Sequence, residues 1–450
     1  ITLCFSINSV KAEETNVARI GEKEFATLDE AITEAKDNDI IELLSDAETI
    51  GLNLNKNLTI TSESDSHYTV TFTKYGIALW GKSLTFKDVD VVMTGIGSTP
   101  YTAEWNWMTI CASKNAELIL ENTTMIMDNK NDKTEHIDKE GKITEGQHAI
   151  YFTGNDKLNL TNSTLTIKNY TQDALEWDGG DGGYNVLLTN SSYISNNNRS
   201  GFTGSFYAVI DNSTVKVLNS IGNGSNGTYY TIKNNSNVTF ENNGAWGISA
   251  WRIDISNNSN LYANNNGYSG IWTRVLNVDS TSSLTANGNG TKAYSSATNA
   301  GILFFGNKDI TSTIEKGAKV EIKNNAGAGI YTKQNYANLT ILSGDITNNG
   351  TGSVNINNIG ADLGGGIYNI GTIFIGTDVN IYNNHASNAA DDIYNGENAS
   401  IEFLETKDDW VLDDCNDKID NWYDDSKNNR WNAHGETEEE IHVDEINEDN

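Results

Sequence analysis

The chain has 450 residues, with 61 acidic side chains against 30 basic ones and a formal net charge of −31. A surface of that sign repels phosphate backbones and anionic lipid, which argues against nucleic-acid and membrane partners. Three cysteines far apart in the chain (Cys4, Cys111, Cys415) form neither a disulfide framework nor a zinc cluster.

Residues 1–12 begin "ITLCFSINSVKA", apolar and then small, with acidic residues following. That order reads as the remnant of a secretory signal peptide, cleaved after Ala12, and it is too short to span a bilayer. Residues 13–50 read as a cap. Within them "FATLDEAITEAKDNDIIELLSD" places Leu28, Ile32 and Ala35 at helical spacing before a strand at Ile40–Leu44. A solenoid needs such a cap because its first coil is an open edge.

Residues 51–404 repeat. The endings "YISNNN", "VKVLNS", "VTFENN", "NLYANN" and "SLTANG" bring Asn196, Asn219, Asn242, Asn264 and Asn287 into one column, with a period of about 23 residues. Asp128, Asn169, Asn324, Asn348 and Asn383 take the same place in longer units. Each unit holds three short runs that alternate polar and apolar, which means strands rather than helices. Three strands per unit predict an all-β fold: a right-handed, single-stranded parallel β-helix with an N-terminal capping helix. Asn at a corner accepts left-handed backbone, and its amide can bond the Asn of the next coil. A single Pro beside 40 Gly suits the same architecture, since Pro deletes a ladder hydrogen bond. The many Asn-x-Ser/Thr triplets, such as Asn122-Thr123-Thr124, are read first as turn chemistry.

The longer units carry their surplus between the Asn and the third strand, at Gly95–Trp107, Asn129–Gln147, Gly288–Asn299 and Asn349–Gly364. Loops on one corner decorate one side of the rod, and loops escape the packing constraint. Alternation in "AIY", "GIW", "GIY" and "DIY" turns each Ile inward and the next residue outward. The outward column contains Tyr151, Glu176, Trp272, Tyr331, Tyr368 and Tyr394. An exposed aromatic row of this kind, walled by Tyr101, Trp105 and Trp107, offers a platform for sugar rings. The alternative is that these rings stack on one another and stabilise the rod.

"QDALEWDGGDGGYN" is acidic and flexible. Asp173, Glu176, Asp178 and Asp181 can supply oxygen ligands to calcium, or paired carboxylates for glycoside hydrolysis, or form a solvated turn. Arg252 and Arg274 each follow a column Asn by ten residues and are expected to stack on adjacent coils, or to pair with neighbours such as Asp254. "ADD" at 390–392 resembles the aspartate pair of β-helix pectin hydrolases, without the Gly-His-Gly or Arg-x-Lys that accompany it. Residues 405–435 are Trp-rich and read as a C-terminal cap, and 436–450 as a solvated acidic linker.

"EFATLDEAITEAKDNDIIELLSDAETIGLNLNKNLTI", the Asn-rich coils and "LGGGIYNIGTI" resemble right-handed parallel β-helix proteins of bacterial surfaces. "GGGIYN" and "DDIYN" are similar to repeats of polymorphic adhesins, and "WYDDSKNNRW" is similar to segments of Gram-positive wall-anchored proteins. The resemblance implies a secreted or cell-surface adhesin-type module and names no ligand; the outward aromatics beside the loops point to host or environmental glycans or glycoproteins, bound without catalysis by a monomer. It implies no cofactor; calcium is the one ion the acids suggest. Two rivals stay open: a polysaccharide lyase or glycoside hydrolase on the same fold, and a passive stalk.

Overall fold

The computed structural model describes residues 16–96, 108–130, 147–179, 183–227, 229–292, 299–351, 361–387 and 390–404 in full. It describes only backbone strands within 135–145 and beyond 405. The leader-like segment 1–12 therefore lies outside the described residues. Tyr101, Trp105, Trp107 and Asp181 do so as well.

The chain is a parallel β-helix with three sheets running along its length. Sheet 1 holds the third strand of each unit, including His148–Thr153, Leu175–Asp178, Ile271–Thr273 and Ile393–Asn395, paired in parallel. Sheet 2 begins with Asp39–Leu43, which pairs in parallel with Leu58–Ser62. Sheet 3 begins with Ala47–Thr49, which pairs in parallel with Val70–Phe72. The first coil thus starts at Asp39 rather than at residue 51, because this strand already has a parallel partner. At the far end, Asn421–Asp424 continues sheet 1 beside Ile393–Asn395 and turns back antiparallel onto Asn429–Asn432.

The helix Leu28–Glu34 covers the first coil. The Thr27 hydroxyl accepts from the Glu30 N–H at 3.2 Å and caps it. Leu28, Ala31 and Ala35 are buried, and Ile32 lies half-buried at the edge. The inward column of sheet 1 runs Ile150, Leu175, Phe202, Ser225, Ile248, Ile271, Ile302, Ile330, Ile367 and Ile393, all buried.

The asparagine column needs a correction of register. Asn197, Asn219, Asn242, Asn265, Asn324, Asn348 and Asn383 hold the left-handed corner, at φ between 55° and 57°. Asp128, Asn196 and Asn264 instead end their strands, and Asn287 lies two residues past the strand Ser283–Thr285. Doubled Asn at 196–197 and 264–265, and Gly288 after Asn287, let the corner fall one residue later. Every one of the left-handed residues is exposed, and the buried ladder is formed by the next residue along. It runs through Asn243, Asn266, Asn289, Asn325, Asn349 and Asn384. Asn243 Oδ1 accepts from Ser220 N, and from Asn266 onward each Oδ1 accepts from both the backbone N–H and the side-chain amide of the coil before: Asn289 Oδ1 lies 3.0 Å from both Asn266 N and Asn266 Nδ2. Each Nδ2 also bonds an interior carbonyl, as Asn289 does to Ala263 O at 2.8 Å. The ladder ends on Asp392, whose Oδ1 accepts from Asn384 N at 3.2 Å and Nδ2 at 2.7 Å. A second ladder of buried serines, Ser163, Ser191, Ser213, Ser236, Ser259 and Ser282, runs along the corner between sheets 2 and 3.

The glycines of the "Gly-Ile" pairs make room for this ladder. A Cβ on Gly270 would lie 2.5 Å from Asn289 Nδ2 and 2.9 Å from Ala263 O. Gly270→Ala is therefore expected to lower the unfolding free energy in a denaturant titration by about 1–3 kcal/mol. The loss should be smaller in an Asn289→Ala background, where one of the atoms struck is gone. Equal losses in the two backgrounds would show that the amide is not the obstacle.

Candidate functional site

The outward column of sheet 1 is continuous. Cys111, Tyr151, Glu176, Thr203, Asn226, Ser249, Trp272, Leu303, Tyr331, Tyr368 and Tyr394 sit in register on successive coils. Its aromatic rings, expected to be exposed, largely cover one another. Tyr331 and Tyr368 stack at 4.4 Å with ring planes 1° apart, and Tyr368 and Tyr394 lie 5.0 Å apart. Trp272 packs on Phe305 at 4.6 Å. Tyr151 and Tyr394 are buried. The physical reason is spacing: neighbouring coils lie about 4.8 Å apart, close to the ring-stacking distance.

Near the start of this column the structure brings together groups that are distant in sequence. His148 opens its strand, and Asp173 lies at the matching position one coil on, its carbonyl accepting from Ala149 N at 3.1 Å. Glu176 sits over Tyr151 in register. His148 Nδ1 is 2.7 Å from Glu176 Oε2 and 3.9 Å from Asp173 Oδ2. His148 and Asp173 are 4% and 5% exposed, while the Glu176 side chain is 24% exposed and gives the cluster its opening. The Tyr151 hydroxyl donates to Asp178 Oδ2 at 3.2 Å. Burial, and then the charges of Asp178 and Glu176, push the Tyr151 phenol well above its ordinary value, so it stays protonated. Of the four acids suggested for calcium, Asp173 and Glu176 come together here. Asp178 faces Tyr151 instead. His148 had no signal in the sequence, because its partners come from the next coil.

Two further expectations are corrected. Arg252 is in register with Val275, so Arg252 and Arg274 do not share a column. The reason is that the corner residue is Asn265 and not Asn264, so the position ten residues on is Val275. Arg252 donates to Asp254 Oδ2 at 2.6 Å, and the Arg274 guanidinium lies over the Trp251 ring at 3.9 Å. Asp391 and Asp392 are structural: Asp391 accepts from Ala386 N at 2.7 Å, and Asp392 terminates the asparagine ladder. Asn122, in its glycosylation-like triplet, takes left-handed backbone and donates to Asp88 Oδ1 at 2.7 Å.

Sequence reading missed a second aromatic row, on the corner between sheets 1 and 2. Tyr184 is 58% exposed, Tyr229 40% and Trp251 41%. Tyr184 and Tyr207 stack at 4.8 Å, Tyr207 meets Tyr229 edge-on at 5.7 Å, and Tyr229 pairs with Arg252. The Tyr207 and Thr231 hydroxyls are 3.0 Å apart. The available signal was the first paired residue of each sheet 2 strand: Tyr207, Tyr229 and Arg252 are in register and each precedes an inward residue.

No protein-family model matches the chain, and no curated protein matches it. Among solved structures it is similar to one described as a new PL6 alginate lyase in complex with a trisaccharide. The two share 10% identity over 87% of each chain, with a TM-score of 0.31. At that level neither substrate nor mechanism carries across. Among the described residues, no helix is long and apolar enough to cross a membrane.

Proposed function

We propose that the chain is a secreted or cell-surface adhesin-type module that binds glycans or glycoproteins without chemical change. The observation supporting this reading is the row on consecutive coils formed by exposed Tyr184, half-buried Tyr207, and exposed Tyr229 and Trp251. Large apolar faces left open to water are sites where sugar C–H faces stack with little loss of side-chain entropy. Arg252, Asp254 and Thr231 border the row with donors and acceptors for sugar hydroxyls. A polysaccharide laid along the rod meets a new ring at each coil. The rings of sheet 1 suit this role less well, because Tyr151 and Tyr394 are buried and none of the column reaches the exposure of Tyr184, Tyr229 or Trp251.

Titration of the full chain against a panel of polysaccharides, read by calorimetry or affinity electrophoresis, tests the reading. Trp251→Ala and Tyr229→Ala are each expected to weaken the best ligand by about tenfold, which is about 1.4 kcal/mol. Tyr368→Ala should leave affinity unchanged. Absence of binding across the panel would leave the stalk.

A second reading, a carbohydrate-active enzyme, draws on the imidazole, phenol and carboxylates that converge at His148, Tyr151, Glu176 and Asp178. Release of reducing ends or unsaturated uronides from the same panel, abolished by Glu176→Gln, would establish it in place of the first.

A further inference from the structure

The cluster around His148 holds more negative charge than its protein partners neutralise. Asp173 and Glu176 face a single imidazole, and among the described residues no Lys or Arg pairs with either carboxylate. Two of their oxygens have no hydrogen-bond partner: Asp173 Oδ1, on a side chain more than nine-tenths buried, and Glu176 Oε2, whose short approach to His148 lacks hydrogen-bond alignment. A buried carboxylate oxygen without a donor costs free energy unless a cation supplies what is missing.

One ligand atom from each of His148, Asp173 and Glu176 lies within 4.8 Å of the others. Two ligands bound to one small ion at about 2.1 Å stand at most about 4.2 Å apart, so modest rotations close the set. The rod favours the arrangement. His148 opens one strand, Asp173 lies at the matching position just before the next, tied to it through Ala149 N, and Glu176 follows on that second strand, so two adjacent coils carry all three donors. The Glu176 side chain, 24% exposed, is the side on which the cluster opens to solvent.

We infer that His148, Asp173 and Glu176 bind one divalent transition-metal ion, zinc in the first place. The donor set selects the ion. Calcium takes six to eight oxygens, and this site offers one nitrogen and two carboxylates. A mixed imidazole–carboxylate set suits zinc and its neighbours. The site is distinct from the aromatic row and does not depend on glycan binding.

The test uses the full chain, stripped with chelator and titrated with zinc chloride by calorimetry, with metal content measured after dialysis. One zinc per chain is expected, with a rise in melting temperature, and cobalt should give visible ligand-field absorption. His148→Gln, Asp173→Asn and Glu176→Gln should each weaken zinc binding at least about tenfold. Glu176→Gln serves as the variant least able to disturb folding, since this side chain reaches solvent. Trp251→Ala should bind zinc as the parent does. The inference is overturned if no saturable one-to-one binding occurs. Binding unchanged by His148→Gln, or calcium binding as tight as zinc, would overturn it equally.

Discussion

Asn289→Ala is expected to destabilise the chain by about 3–6 kcal/mol, the largest effect of any single polar substitution in the rod. Its side chain accepts from Asn266 N and Nδ2 and donates to Ala263 O and Asn325 Oδ1. Removal leaves the Asn266 N–H and the Ala263 carbonyl buried and unpaired, each at about 1–3 kcal/mol. The neighbouring strands cannot close the gap, because their own ladder bonds hold the coils at a fixed spacing. Solenoid coils contact only their neighbours, so the loss should appear first as local opening. Hydrogen exchange should accelerate in the coils holding Asn266 and Asn325 and remain slow in the coil holding Ile41. Uniform protection along the rod would show that the ladder adds nothing to local stability. Asn289→Asp should be as damaging at neutral pH, since an anionic oxygen would then face Ala263 O and Asn325 Oδ1. Those neighbours and burial raise the folded-state pKa of the new carboxyl, so the defect should lessen as pH falls through that raised value.

Trp177→Ala is expected to cost about 3–5 kcal/mol in a denaturant titration. Trp177 is fully buried, meets Phe152 edge-on at 4.6 Å, lies 6.0 Å from Phe206, and donates Nε1–H to Asp156 O at 3.2 Å. Phe206 in turn packs on Phe202 and Tyr230, so these rings fill several coils. The rigid sheets keep the vacated volume open, which places the cost high in its range. Trp177→Phe, which keeps most of the volume, should cost less. Glu176 and Asp178 flank Trp177 on the opposite face of the same strand. The Ala variant is therefore also expected to weaken zinc binding, because the strand that presents Glu176 loses its inner support. Unaltered zinc affinity would show that the strand is held by its ladder bonds alone.

The alternation of single residues made the fold legible. Inward Ile271, Ile330 and Ile367 and their outward neighbours Trp272, Tyr331 and Tyr368 follow from a period of two, which is a local property of a half-buried strand. The capping helix was legible for a similar reason: Leu28 and Ala35 recur at helical spacing, and the helix packs on the coil that follows it directly.

By itself the sequence determined a rod of stacked strands with an apolar interior, acidic outside, and an Asn-and-Gly corner once per coil. Only the tertiary structure decided which Asn of each pair is buried, which rings remain open, and that His148 meets Asp173 and Glu176. The physical reason is that these contacts join different coils across inserts of unequal length. Taking Asn264 rather than Asn265 as the corner residue pairs Arg252 with Arg274 instead of Val275, while the local alternation reads the same either way. Neighbours along a strand are written in the order of residues, whereas neighbours across coils are set by where each corner turns.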